Sequence, residues 1–299
     1  MKNKNTPKRH HFVPRWYLEL FVNPTDGFLE LFDKSQKKWR RQKPNKVMVI
    51  NNYYRQLWAP EGTDVNIIEI LLGSKIEPQA KNAFDKIFNQ EQLNTEDVGA
   101  LIAFIEIQRL RVPREAKKAN QLTEALMLKY IHEHPDFKDI SIIFKTLPIK
   151  IEILDPVRFE YMKTVIGIFS SIIPHMLWEI VTSEFGSSFL TTDSPVTLYN
   201  SAFLPPFEPG IKHAGTQVIF PLSPKKLLIL AHPRYAYDKT VDPQEHVDYK
   251  HENSKKIQVL SGRELPIEGV KKINWMMLQL SDKHIVASDK KTIEEALAT

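Results

Sequence analysis

Two adjacent histidines, His10 and His11, sit in Lys8-Arg9-His10-His11-Phe12-Val13-Pro14-Arg15-Trp16-Tyr17-Leu18, the stretch whose residue types are best suited to chemistry. Pro14 is well placed to start a helix, because its missing N–H would have no intrahelical partner there. The histidines are therefore expected at a strand-to-helix junction. In extended backbone, neighbouring side chains point to opposite faces, so one of the pair reaches any given site. An imidazole there can act as a general base near neutral pH, a metal ligand or a phosphate contact. The bland alternative is a polar junction in which one ring caps backbone and the other packs.

Three further groups carry ionisable side chains in suggestive settings. Glu69 and Glu77 are eight residues apart on a predicted helix, about two turns and some 12 Å along one face. Glu69 falls within an apolar stripe (Ile68, Leu72, Ile76), where a carboxylate can pair with arginine or hold a divalent ion; Glu77 reads as the rim of an amphipathic helix. Arg109, Arg111 and Arg114 surround a helix end, where cations suit the dipole and guanidinium forks suit phosphate or a buried carboxylate. Asp193, in Thr192-Asp193-Ser194-Pro195, is predicted at the end of a strand, either as a functional carboxylate or as a turn former.

The charge distribution is asymmetric. Residues 1–46 carry twelve Lys or Arg against four acids, whereas the whole chain of 299 residues has a net charge of +5, leaving −3 for the remainder. From Lys34 to Lys46 there are seven positive charges and no acid. Such a run attracts polyanions, unless it is simply a solvated hairpin tip. There is no cysteine, which removes disulfides, zinc-thiolate sites and thiol nucleophiles. The basic N-terminus has no apolar core of a secretory signal. The longest uncharged stretch, Val165 to Trp178, is short for a membrane span and interrupted by Pro174. A cytoplasmic protein is expected.

The elements that must position these residues follow from periodicity. Gly27–Asp33 and Lys38–Gln42 read as a basic N-terminal β-hairpin turning at Lys34–Lys37. Helical spacing runs from Asp64 to about Tyr130, with Thr95 as an N-cap and a stop before Pro113. A further helix is predicted over Arg114–His132, and a buried one over Asp155–Ile173. Short β-rich runs follow at 177–182, 188–192, 216–220 and 227–231, with an exposed loop from Asn200 to Gly215. A helix over 266–281, a strand over 284–287 and a terminal helix from Lys290 complete the chain. The expectation is one α+β domain over 1–299: a His-His and hairpin segment (1–46), a helical middle (64–175) packed against a mostly antiparallel sheet (176–231), and a C-terminal helix-strand-helix (266–299).

These pieces, in this order, resemble the bacterial domain of unknown function 4238 family. The resemblance rests on His-His-x-Val-Pro-x-x-Tyr-Leu-x-x-Phe (His10 to Phe21), Tyr53-Tyr54, the spaced Glu69 and Glu77, and Arg111-x-Pro113. It continues through a Thr-Ser-Asp-x-Pro-like stretch, Phe220 to Ser223, and a helix centred on Asn274. In the acidic motif, Thr192 replaces the usual serine and Ser194 a frequent asparagine, while Asp193 and Pro195 are kept. The resemblance implies a single-domain protein.

The reading that joins these residues is a phosphodiester-cleaving hydrolase, a nuclease acting on RNA or phage-associated nucleic acid. His10 or His11 is then the base or a metal ligand, Glu69 and Asp193 are acidic partners, and Arg111 stabilises charge developing on phosphate. Lys34, Lys37, Lys38, Arg40, Arg41 and Lys43 hold the polyanion without reading sequence, and Mg²⁺ or Mn²⁺ is the cofactor such a site would take. Asn51 or Asn52 could replace the asparagine of a His-Asn-His nuclease finger, but no histidine follows before His132. The alternatives are a non-catalytic nucleic-acid or small-anion binding module, and buried structural pairs (Glu69–Arg111, His–Asp193). The nuclease reading expects His10 or His11, Glu69, Arg111 and Asp193 to meet in one cleft. There is no glycine-rich phosphate loop, Gly-x-Ser-x-Gly elbow or His-Glu-x-x-His helix.

Overall fold

The alternation expected at the histidines sets up the first strand of the computed structural model, which describes residues 8–137, 155–249 and 257–299. In β1 (Arg9–His11), His10 is buried and His11 half-buried. Pro14, extended at φ −57° and ψ 141°, then leads into α1 (Arg15–Leu18). The basic hairpin forms as β2 (Leu29–Asp33) and β3 (Lys38–Gln42). β4 (Val49–Asn51) returns antiparallel to β1, with His10 opposite Ile50 and His11 opposite Val49.

The helical middle begins with α2 (Ile67–Leu71), a wider i→i+5 turn over Leu72–Ile76, and α3 (Glu77–Phe88). That wide turn matters for geometry. At about 100° per residue, eight residues overshoot two α-turns by roughly 80°, and a π-type turn takes up much of the excess. Glu69 and Glu77 are thereby drawn towards the same side. α4 (Thr95–Leu110) starts at the residue expected to be its cap, so the cap lies one residue earlier. Asn94 is the N-cap: its Oδ1 accepts from the Asp97 amide at 2.9 Å, and Asp97 Oδ2 accepts from the Asn94 amide at 2.9 Å. This reciprocal pair satisfies two otherwise orphaned donors. Val112, before Pro113, is extended, which ends α4 and opens α5 (Pro113–Glu133).

The single buried helix expected over 155–173 is instead two, α6 (Asp155–Val165) and α7 (Ile168–Ile172). Gly167 breaks it at φ +95°, a conformation that costs glycine little. The buried Glu106 carboxylate then accepts from the amides of Gly167 (2.6 Å) and Phe169 (3.1 Å), capping α7. Ile166 and Ile168 remain exposed. Residues 138–154 of the expected helical middle lie outside the described residues.

The second half alternates strands and helices: β5 (Leu177–Ser183), β6 (Thr191–Thr192), β7 (Thr197–Tyr199), β8 (Gln217–Ser223), β9 (Lys226–Ala231), α8 (Pro233–Tyr237), β10 (Val259–Leu265), α9 (Ile267–Leu280), β11 (His284–Ala287) and α10 (Lys290–Ala298). Among the described residues, one sheet runs β10-β5-β9-β8-β7 and another β3-β2-β11-β6, besides the β1–β4 pair. All pairings are antiparallel except β10 with β5. The fold is α+β with mostly antiparallel sheets. The loop from Asn200 to Gly215, expected to be exposed, is only partly so. Leu204 and Phe207 face outwards, but Ile211 and Ala214 are buried. Its Glu208 is pinned by Arg109 and Lys118 from the helical middle.

Helices and sheet meet in an aromatic core. Phe84 of α3 and Phe104 of α4 pack on Phe220 of β8 with ring centroids 5.8 and 6.1 Å away. Trp16 of α1 sits edge-on to Phe84 at 5.2 Å, and Tyr17 stacks on Phe220 at 5.5 Å. The Tyr17 hydroxyl donates to the Pro221 carbonyl at 2.7 Å and lies 2.8 Å from Thr191 Oγ1. α1 is thus anchored to the sheets by a buried polar contact, fixing the exit of the histidine strand. Tyr17→Phe should lower unfolding free energy by about 1–3 kcal/mol, the cost of leaving buried partners unsatisfied. Urea unfolding measures it, and an unchanged midpoint would contradict the anchoring role.

Candidate active site

His10 and His11 do different work. His10 Nδ1 accepts the Tyr54 amide at 2.9 Å, and its ring stacks on Tyr54 with centroids 5.6 Å apart. It is a packed, bonded residue of the junction. The His11 ring turns the other way and bonds the backbone of Pro44. A proline backbone offers only a carbonyl, so the ring donates there. His11 Nε2 is buried with no hydrogen-bond partner among the described residues, which makes Nδ1 the donor and leaves the lone pair on Nε2. Burial lowers the His11 pKa from 6.5, with Arg9 and Arg15 adding to the effect and Pro44 and Glu77 opposing it. At neutral pH the ring is an uncharged base.

A chain of side chains ties this strand to the helices. Gln108 of α4 donates from Nε2 to the Phe12 carbonyl, one residue beyond His11, at 3.0 Å. Gln108 Oε1 accepts from Arg111 Nε at 2.7 Å. Arg111 is 2 % exposed. Its Nη1 lies 2.8 Å from Glu77 Oε1 at the start of α3, and its guanidinium lies over the Phe104 ring. Arg111 therefore bridges the end of α4 to the start of α3, and its ion-pair partner is Glu77 rather than Glu69. Directed at Gln108 and Glu77, it serves to position other groups.

His11, Glu69, Gly73 and Glu77 line one open cavity of about 380 Å³, together with Pro14, Arg15, Trp16 and Glu19. Two of its acids have their own cations: Glu77 has Arg111, and Glu19 has Arg15 at 2.8 Å. Glu69 makes no ion pair among the described residues. Burial, and then the neighbouring Glu77, raise its pKa to about 7 against the opposing pull of Arg111. The cavity thus pairs a neutral imidazole with a carboxyl that keeps its proton to near neutrality, the combination required for general acid–base chemistry.

Asp193 belongs elsewhere. Its carboxylate accepts from the amides of Asp282 (3.0 Å), Lys283 (2.6 Å) and His284 (2.7 Å), holding the turn into β11. Its histidine neighbour is His284, whose Nδ1 is 4.0 Å away. Of the residues expected to meet, only His11 and Glu69 line the same cavity, joined there by Glu77; Arg111 stands behind Glu77 as its ion-pair partner, Asp193 lies in a separate cluster and His10 behind the strand. The hairpin is also less free than its charge implied. Lys34 caps α9 through the Leu278 (2.7 Å) and Ser281 (3.0 Å) carbonyls. Arg41 pairs with Asp26 and Glu30, and Arg40 bonds Gln36 and lies 4.0 Å from Asp33. Lys37, Lys38, Lys43 and Lys46 stay exposed without ion pairs among the described residues.

Sequence reasoning passed over Gln108, Trp16, Arg15, Glu19 and Gly73. One usable signal was Gln108-x-x-Arg111 at a helix end, since residues three apart share a face. Another was Gly73 inside an otherwise apolar helical stripe.

The raised pKa of Glu69 has a consequence for stability. A group whose pKa rises on folding, here from 4.5 to about 7, stabilises the fold fully below its unfolded value and loses that contribution as pH climbs through the folded one. The uncharged Glu69→Gln should therefore gain on wild type in thermal midpoint between pH 5 and pH 8.5. A mutant-to-wild-type difference that does not change with pH would contradict the assignment.

No curated protein and no solved structure matches this chain. The family model described as a protein of unknown function (DUF4238) matches residues 9–291, so the chain, from its paired histidines to its last helix, belongs to that family.

Proposed function

We propose that this protein cleaves phosphodiester bonds of nucleic acid by general acid–base catalysis in the His11–Glu69 cavity. The observation that carries the reading is the shared cavity itself. His11, whose buried Nε2 has no hydrogen-bond partner among the described residues, and the uncompensated Glu69 line the same space; the imidazole is neutral and the carboxyl keeps its proton up to about pH 7. His11 Nε2 takes the proton of the attacking hydroxyl as the new O–P bond forms. Glu69 returns a proton to the departing oxygen as the old P–O bond breaks. Arg15, on the cavity rim, offers a cation to the phosphate, and the Gln108–Arg111–Glu77 chain holds the two walls in register. Among the described residues, no group of three or more His, Asp and Glu side chains is arranged to hold a metal ion, and no step here is routed through one.

The choice of polyanion rests on charge. Lys43 and Lys46 flank Pro44, whose carbonyl holds the His11 ring. Both are exposed and support phosphate contacts without base readout, while Lys37 and Lys38 lie at the other end of β3.

Turnover of RNA, single-stranded DNA and duplex DNA, each with and without chelator, tests the reading. His11→Ala and Glu69→Gln should each reduce cleavage by about 10²–10⁴-fold. The wild-type rate should peak between the lowered His11 pKa and the Glu69 value of about 7, and Glu69→Gln should lose the alkaline limb. His10→Ala should instead chiefly lower thermal stability, because its ring holds Tyr54. Saturable nucleic-acid binding with no cleavage by folded wild type would replace the enzyme with a binding module.

A further inference from the structure

A second concave site lies just downstream of the residues that hold His10. The segment Arg55–Pro60 and the face of α6 bearing Phe159, Glu160 and Lys163 enclose a groove of about 250 Å³. Two of its apolar lining residues are open to solvent: Leu57 and Trp58 are each 67 % exposed. Exposing a tryptophan so fully forgoes the burial that usually keeps one inside. Lys163 is matched by Glu160 at 2.6 Å. Arg55, exposed, has no ion pair among the described residues.

An exposed indole beside an uncompensated guanidinium is what a single-stranded nucleic acid recognises. Bases stack on aromatic faces whatever their identity, and the cation meets the adjacent phosphate. Duplex bases are already stacked on each other and offer no free face. The position also fits a strand reaching the cavity. Trp58 is four residues from Tyr54, so their Cα atoms are at most about 14 Å apart, and the Tyr54 side chain lies within electrostatic reach of Glu69 and Glu77, which line the cavity.

We propose that the Trp58–Phe159–Arg55 groove is a stacking subsite for an unpaired base of a single-stranded nucleic acid, one end of which enters the His11–Glu69 cavity. This inference rests on the phosphodiesterase reading and names its substrate class. Trp58 and Arg55 act here by binding and take no part in proton transfer.

The test uses the full chain carrying Glu69→Gln, so that the strand is not consumed, with a 12-nucleotide single-stranded RNA and a duplex of equal length as probes. Single-strand binding should quench Trp58 fluorescence. Trp58→Ala should weaken single-strand affinity by about 5- to 150-fold, Trp58→Phe should recover much of the loss, and duplex affinity should hardly move. In the otherwise wild-type chain, Trp58→Ala should raise KM for long single strands while leaving kcat near its starting value. Unchanged single-strand affinity in Trp58→Ala, or equal losses on duplex and single strand, would overturn the subsite while leaving the acid–base reading intact if cleavage persists. Failure of the parent chain to bind any nucleic acid would overturn both.

Discussion

A guanidinium that is almost fully buried must be met by a countercharge and by acceptors for its N–H groups, since an uncompensated buried charge costs several kcal/mol. Arg111 imposes that demand where α4 ends, and the molecule answers it with Glu77 from α3 and Gln108 from its own helix. Gln108 has an amide N–H left over, which it gives to the Phe12 carbonyl. One buried cation thereby fixes two helices and the histidine strand relative to each other. The aromatic packing of Trp16, Phe84 and Phe104 lies beside this chain, with the Arg111 guanidinium over the Phe104 ring.

The chemistry of the cavity follows from burial and from the charges beside it. Burial, and after it the Glu77 carboxylate, favour the protonated form of Glu69, against the weaker pull of an Arg111 whose ion pair is with Glu77. In the same cavity, the Pro44 carbonyl fixes the His11 tautomer while burial keeps the ring neutral. Neither group is unusual alone. Together they place a proton acceptor and a proton donor in the same cavity near neutral pH, with no contribution from Asp193.

Features set by local backbone rules were legible in the sequence. Alternation on β1 separated the two histidines, and Pro113 ended α4 where its steric demand requires. The family resemblance also marked residues whose roles are visible only in three dimensions: Tyr54 holds His10, and Asn274 bonds the Leu190 amide and the Ser188 carbonyl to tie α9 to the segment before β6. What escaped sequence reading depended on distant partners or on a departure from regular geometry. The partner of Arg111 was misread because a π-type turn between Glu69 and Glu77 leaves no clear sequence signature. Asp193 resembled a strand-end functional carboxylate, yet its donors lie some ninety positions away along the chain. The charge of the hairpin overstated its availability because Lys34 answers carbonyls of α9 that only the tertiary fold supplies, and Arg41 answers Glu30 across the hairpin itself.

The central claim is that burial and the neighbouring Glu77 keep Glu69 protonated to near neutrality in the cavity that His11 also lines. Site-resolved carboxyl ¹³C NMR of Glu69 through a pH titration tests it most directly. The account predicts a midpoint near 7, falling towards the ordinary carboxylate range when Glu77 is replaced by Gln and its negative charge removed. A Glu69 midpoint near 4.5 in the wild-type protein, unchanged by Glu77→Gln, would contradict it.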